Sequence, residues 1–278
     1  MGPMNEPGEI AVALRGSLLS GLPVEEDVGG AFIIDEIDPE QILPSWQAAR
    51  ASVPVTGRWP VMIGPEEVYG DPTPDELADM RRVATSGHPW SVFRPGYGDE
   101  PVPEWRLTSS LPSVLGDELV ARAMRELPAP VTEAALGRWV YDRMLEDPGL
   151  ATRAVRILGD FRGTKQWYQP RQVQLALLPT PLQWLAPAWL RYFGAGDPVR
   201  WRALAGALYE WERRCGAELV AWWGTMLQFV VSRPPAAGDP AWEVAGQLKA
   251  VGGSLQMEQW TLALGVARSD AWFLHDRP

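Results

Sequence analysis

At 278 residues and 46% apolar composition, the chain is long enough to bury a sizeable core and too apolar to remain disordered. Its single cysteine, Cys215, excludes an internal disulfide and any multi-cysteine zinc site, in keeping with a reducing compartment. A net charge of −10 opposes non-specific nucleic-acid binding, because phosphate contacts need clustered Lys and Arg.

The acidity is uneven. Ten basic and nine acidic residues lie from Gln166 onward, so residues 1–165 carry −11 of the net −10. This asymmetry sets the expected division into an acidic α+β region over 1–165 and a C-terminal α+β domain over 166–278. No window approaches the roughly 18 uninterrupted apolar residues of a membrane span. Met1 to Ile10 lacks the basic start and apolar stretch of a signal peptide. The expected location is cytoplasmic.

Along the chain, Ala31 to Ile34 is an apolar run that predicts a strand. Asp38 then offers an N-cap, with Pro39 at the first helical position. Ile42, Trp46 and Ala49 continue at helical spacing, and Pro44 is expected to kink the helix or delay its start. In "TGRWPVMIG", Trp59, Val61 and Ile63 alternate on one face, as in a half-buried strand, and Pro60 argues for an edge position or the strand's first residue. "TPDELADM" carries a capping-box signature in Thr73 and Glu76.

The stretch from Ser86 to Trp105 is rich in proline and glycine and unusually aromatic, which predicts an ordered loop inserted against the body. Helices are expected at Leu115 to Leu127, at Thr132 to Leu145 and from Asp147-Pro148, the last with Leu150, Ala154 and Leu158 on one side.

In the second half, "QVQLALL" alternates as a strand with one wetter face. "VRWRALAGALYEWERRCG" sets Trp201, Leu204, Leu208, Trp211 and Cys215 at helical intervals and ends at Gly216. "GAELVAWWGTMLQFVVSRPP" reads as two strands turning at Gly224-Thr225 in a type II′ hairpin, which sends Trp222 and Trp223 to opposite faces. A helix capped by Asp239-Pro240 follows. Residues 254–267 fit either a helix capped by Ser254 or a strand, and "AWFLHD" closes as a short strand.

"VQLALLPTP", "GAELVAWWGTMLQFVVSRPP" and "AWFLHD", with "TGRWPVMIG" upstream, resemble a bacterial and phage family known as domain of unknown function 4253. The resemblance implies strands and turns over Gln172 to Asp276 and brings no activity with it.

Chemical motifs are scarce. His88 and His275 sit in no metal-ligand spacing, and GxGxxG, GxxxxGK[ST] and GxSxG are absent, so neither metal nor cofactor is expected. Cys215 lies on an apolar helical stripe, the place of a small buried hydrophobe.

Fifteen tryptophans remain to be placed. Trp46, Trp139, Trp201 and Trp211 fall on helical stripes. Trp90, Trp105, Trp167 and Trp184 lie in loop-like segments near arginines. Aromatic residues with arginine on loops have the composition of a protein-binding patch, and the candidates are Trp90, Phe93, Arg94, Tyr97, Trp105, Trp167 and Trp184.

The expected fold is α+β, a mostly antiparallel sheet flanked by helices with a helical and loop insertion in the first half. The expected function is a cytosolic, non-enzymatic protein-binding module, immunity- or antitoxin-like, with a basic protein partner. Nucleic-acid or membrane partners are not expected, and the sequence sets no oligomeric state. Alternatives are a hydrolase with a site near the His88 loop, or a structural module of a larger assembly.

Overall fold

The computed structural model describes residues 2–277 apart from 66–67, 69, 95–99, 159–167, 169 and 256. Among the described residues seven strands form one sheet: β1 (Val24–Glu26), β2 (Phe32–Ile34), β3 (Trp59–Ile63), β4 (Gln174–Leu178), β5 (Ala217–Trp222), β6 (Met226–Val231) and β7 (Ala271–His275). Their order is β1-β2-β4-β3-β5-β6-β7. Every neighbouring pair is antiparallel except β3 and β5. The α+β expectation is met. Residues 1–165 supply β1 to β3 and residues 166–278 supply β4 to β7, so both regions build the same sheet, with β4 seated between β2 and β3.

Two strand readings are corrected. β3 is a central strand, buried along its whole length between β4 and β5, rather than a half-buried edge. Pro60 is tolerated because the β5 ladder begins only at Met62, paired with Ala221. The Pro60 carbonyl instead accepts the Trp46 indole N–H at 3.0 Å. β4 likewise has no wet face beyond its first residue, Gln174, because helices cover both sides of the sheet.

The helices are α1 (Pro7–Ala13), α2 (Ile42–Thr56), α3 (Pro74–Ser86), α4 (Trp90–Phe93), α5 (Leu111–Leu115), α6 (Asp117–Glu126), α7 (Glu133–Glu146), α8 (Pro148–Leu158), α9 (Pro198–Cys215), α10 (Asp239–Val251) and α11 (Gln259–Val266). Adjacent strand residues point to opposite faces, and this sorts two of the helices. From α2, Arg50 donates to Glu218 on one face of β5. From α9, Trp211 packs edge-on to Phe229, whose cross-strand partner is Leu219, on the other face.

Local signals set most helix ends. A 3-10 turn at Pro39–Gln41, capped by Asp38, precedes α2, so the helix proper starts at Ile42 and Pro44 falls harmlessly in its first turn. The helix expected from Leu115 to Leu127 is α6, which starts at Asp117 after Gly116, whose φ of +90° suits glycine, while Leu115 instead ends α5. Gly238, not Asp239, is the N-cap of α10, and the Asp239 carboxylate pairs with Arg138 at 2.7 Å instead. Residues 259–266 are helical, capped at Glu258 rather than Ser254.

The tryptophan pair of the hairpin is interior on both faces. Gly224, with φ +66°, allows the tight turn in which Trp223 N–H reaches the Met226 carbonyl. Trp222 lies edge-on to Tyr192 and donates to the Arg191 carbonyl at 2.9 Å. Trp223 donates to Gln228 at 2.7 Å and meets the Tyr168 ring. Each ring buries its apolar body and satisfies its N–H, which is the requirement for tryptophan in a core.

Cys215 closes the buried stripe of α9, and burial pushes its thiol above the usual range. Labelling by a thiol reagent is therefore expected to be slow in the native protein and rapid in denaturant. Equal rates in both conditions would show that this helix end is open.

Candidate functional site

Of the seven residues singled out in the sequence, five lie among the described residues. The Trp90 indole donates to Glu210 at 2.7 Å and its ring lies 5.7 Å from that of Trp211, so it fastens the loop to α9. Phe93 is half-buried against the core, and Arg94 ends α4 on the surface with φ +50°. Trp184 is 5% exposed and edge-on to Tyr209, whereas Trp105, at 64%, stands in solvent. Tyr97 and Trp167 lie outside the described residues.

His88 is exposed and lines a groove of about 320 Å³ with Val83, Pro89, Val92, Val199 and Ala203. Ser91 also lines it, but its hydroxyl donates to the main-chain carbonyl of His88 at 2.8 Å. The pair is thus tied through the backbone and not as nucleophile and imidazole base.

Beside this groove lies a cleft of about 520 Å³ lined by Asp71, Glu76, Trp189, Tyr192, Asp197 and Trp201. Its walls are fixed by local chemistry. At the start of α3 the Thr73 hydroxyl accepts from the Glu76 N–H, and the Glu76 carboxylate accepts from the Thr73 N–H at 2.8 Å and hydroxyl at 2.9 Å. These bonds hold the Glu76 carboxyl below its ordinary range, and therefore ionised at neutral pH.

Asp197 caps α9, accepting from Val199 N–H at 2.9 Å and Arg200 N–H at 3.0 Å. The Trp189 indole donates to the Gly29 carbonyl at 3.0 Å, and the Trp201 indole to the Pro187 carbonyl. Tyr192 donates to the Val251 carbonyl at 3.3 Å, and burial pushes its phenol up. Arg191 at the rim is already engaged in an interaction of its own.

α3 and α9 pack against each other, and residues of both helices line the two depressions. Glu76 lines the cleft and Val83 lines the groove. Seven residues at 1.5 Å each put them about 10 Å apart. Asp79 of α3 pairs at 2.8 Å with Arg202, which itself lines the groove. Val199, 60% exposed, and Phe193, 49% exposed, are apolar residues presented by the same 191–201 run.

From the sequence, Glu76 reads as a capping residue and Trp201 as part of a helical stripe. The overlooked signal was the run Trp189 to Phe193, three aromatics in five residues, leading into the Asp197 cap of α9.

Two other charged clusters have a structural character. Arg106, in a π-helical turn, pairs with Glu133 of α7 at 3.3 Å and with Glu258 at the start of α11, clasping the helical insertion to the body. Lys249, beside them, donates to the Met257 carbonyl at 2.6 Å.

On α9, burial pushes the Glu212 carboxyl up. A hydrogen bond from Gln183 opposes this, Glu218 reinforces it and Arg50 opposes it. A raised carboxyl pKa means the native state holds its proton longer than the unfolded chain. This residue's contribution to stability therefore falls as pH rises from about 4.5 through the raised value. Glu212→Gln is expected to gain on wild type across that window in urea midpoints, and a difference independent of pH would refute the assignment.

Among the described residues no group of three or more His, Cys, Asp or Glu is arranged to hold a metal, and no helix is long and apolar enough to cross a membrane.

Residues 174–276, from β4 through β7, match the model of a family described as Domain of unknown function (DUF4253). Neither a curated protein nor a solved structure matches the chain. The matched segment contains the wall of the cleft from Trp189 to Trp201, while Asp71 and Glu76 come from outside it.

Proposed function

We propose that this protein is a non-enzymatic, cytoplasmic protein-binding module, immunity- or antitoxin-like, that meets a basic partner through the α3/α9 face. The observation that carries the reading is the cleft lined by Asp71, Glu76, Asp197 and the partly exposed Trp201, set near a groove lined mainly by apolar residues. Aromatic anchors in pockets supply much of the energy of protein interfaces, and a complementary charge speeds encounter. The Trp189 and Trp201 indoles and the Glu76 and Asp197 carboxylates are already held by main-chain bonds, so little ordering of these groups remains to oppose binding.

The test is a photo-crosslinking amino acid placed at Val199 in the full chain, in the cells that make it. Val12, also exposed but on α1, is the control position. Discrete protein adducts are expected at 199 and not at 12. If position 199 yields no adduct, or none beyond those at 12, the reading fails.

A further inference from the structure

Residues 100–158 form a unit of their own around α5 to α8. These helices pack on one another, with Leu111, Val120, Leu136, Met144 and Ala154 buried. Among the described residues every main-chain hydrogen bond of the span stays inside it. Val102 N–H reaches the Val131 carbonyl at 2.9 Å, and Glu133 N–H the Glu100 carbonyl at 3.1 Å, which ties the start of the span to the foot of α7.

The unit meets the rest of the chain chiefly through α7, which packs on α11. Side chains fix that contact. Near the start of α7, Arg106 pairs with Glu133 and with Glu258, the N-cap residue of α11. Further along, Arg138 pairs with Asp239 at 2.7 Å and lies 5.7 Å from the centre of the Trp242 ring. The Tyr141 ring is 5.4 Å from that of Trp242, and its hydroxyl donates to the Gly238 carbonyl at 3.3 Å and accepts from the Gly238 N–H at 2.9 Å.

We propose that this unit is a detachable cover: it lifts from α10 and α11 as one body while the sheet stays folded, with the Arg106 ion pairs at one end of the catch and Tyr141 at the other.

The nature of the contact makes lifting less costly than unfolding. No main-chain bond between described residues has to break, and units joined by polar contacts within one chain ordinarily move relative to each other. Burial pushes the Glu133 carboxyl up and the neighbouring Lys249 ammonium down, so the closed contact holds both charges against their hydration. Opening returns water to them and offsets part of the lost packing. It also uncovers α11, in which every residue from Gln259 to Val266 is buried. α10 and α11 belong to the segment that matches the family and α7 lies before it, so the first half of the chain supplies the cover.

The Gly238 N–H is a local reporter, because its acceptor stands on α7. Glu133, which Arg106 reaches, and Tyr141 are eight residues apart, about 12 Å along the helix. Separate local contacts would not communicate over that distance, whereas a unit that lifts as one body would.

The experiment is amide hydrogen exchange by NMR on the full chain, as wild type, Arg106→Gln and Glu258→Gln. In wild type Gly238 is expected to exchange at least about tenfold faster than the amides that join β5 to β6. Arg106→Gln should accelerate Gly238 by about a further tenfold and leave the strand amides at their wild-type rates. Glu258→Gln should act in the same direction but less, because Glu133 still holds Arg106. Its carboxylate is 30% exposed, so it carries the test should Arg106→Gln not fold.

Exchange of Gly238 at the strand rate in wild type, or acceleration of Gly238 and the strand amides together, would show a single cooperative structure and overturn the proposal. A Gly238 rate unchanged in the variants would show independent contacts and overturn it as well.

Discussion

Trp211→Ala is expected to lower the free energy of unfolding by about 3 to 5 kcal/mol, read as a fall in the urea midpoint. Three aromatic rings meet this indole: Phe229 at 5.9 Å, Trp272 at 6.4 Å and Trp90 at 5.7 Å between centroids. Truncation would leave a cavity among rigid rings that cannot all move inward, so relaxation would recover little of the loss.

A second loss is polar. The Trp211 N–H donates to Gln247 at 2.8 Å, and the Gln247 amide in turn donates to Glu243 at 3.0 Å, where Arg214 also pairs at 2.7 Å. Without the indole, the buried Gln247 carbonyl loses this donor, at a cost of about 1 to 3 kcal/mol.

Trp211→Phe separates the two effects, because it keeps much of the ring packing and deletes the N–H. Its midpoint should fall between those of wild type and Trp211→Ala. A midpoint for Trp211→Ala equal to wild type would remove α9 from the core.

What the sequence made legible was local. The capping box of Thr73 and Glu76, the apolar stripe of α9, Gly216 in its left-handed cap and the Gly224 turn each act within a few residues, where side-chain chemistry and backbone preference are read together. What escaped was decided by distant partners. Alternation in β3 suggested one buried face, yet β4 and β5 flank the strand and helices cover both sides. Pro60 suggested an edge because nothing nearby shows that the β5 ladder begins two residues later.

The packing of two binding candidates was hidden for the same reason. Trp90 and Trp184 sit in loop-like sequence but are claimed by α9, through Glu210 and Tyr209. The cleft joins residues 70–76 to residues 187–201, more than 100 positions apart. Each of its carboxylates looks locally like a turn or a cap, and only the packing of α3 on α9 makes the two segments one surface.

Arg58 is the sharpest example of a residue whose role only the fold discloses, and Arg58→Ala is expected to cost about 3 to 5 kcal/mol. It is 2% exposed, in a stretch read from sequence simply as the approach to a strand. Its guanidinium donates to the carbonyls of Met4 at 2.6 Å, Gly30 at 2.7 Å and Leu177 at 3.1 Å, and lies 4.0 Å from the centre of the Phe32 ring. Burial pushes the guanidinium down to about 10, which leaves it charged at neutral pH.

Desolvating that charge opposes folding. Deleting it nevertheless destabilises, because three main-chain acceptors from three separate segments lose their common donor. Arg58→Met tests the balance: it keeps a stem over Phe32 but supplies no hydrogen bond, so it should recover only the packing part of the loss. Arg58→Lys restores a charge without the planar fork that reaches all three carbonyls, and should remain well below wild type.

The N-terminal segment supplies a second readout. Met4 is held by Arg58 and by its own N–H bond to the Thr56 carbonyl at 2.9 Å. Limited proteolysis near residues 4–14 should accelerate in Arg58→Ala before the sheet unfolds. A wild-type urea midpoint together with an unchanged cleavage rate would mean that water replaces the guanidinium at all three carbonyls, and that Arg58 does not clamp these segments.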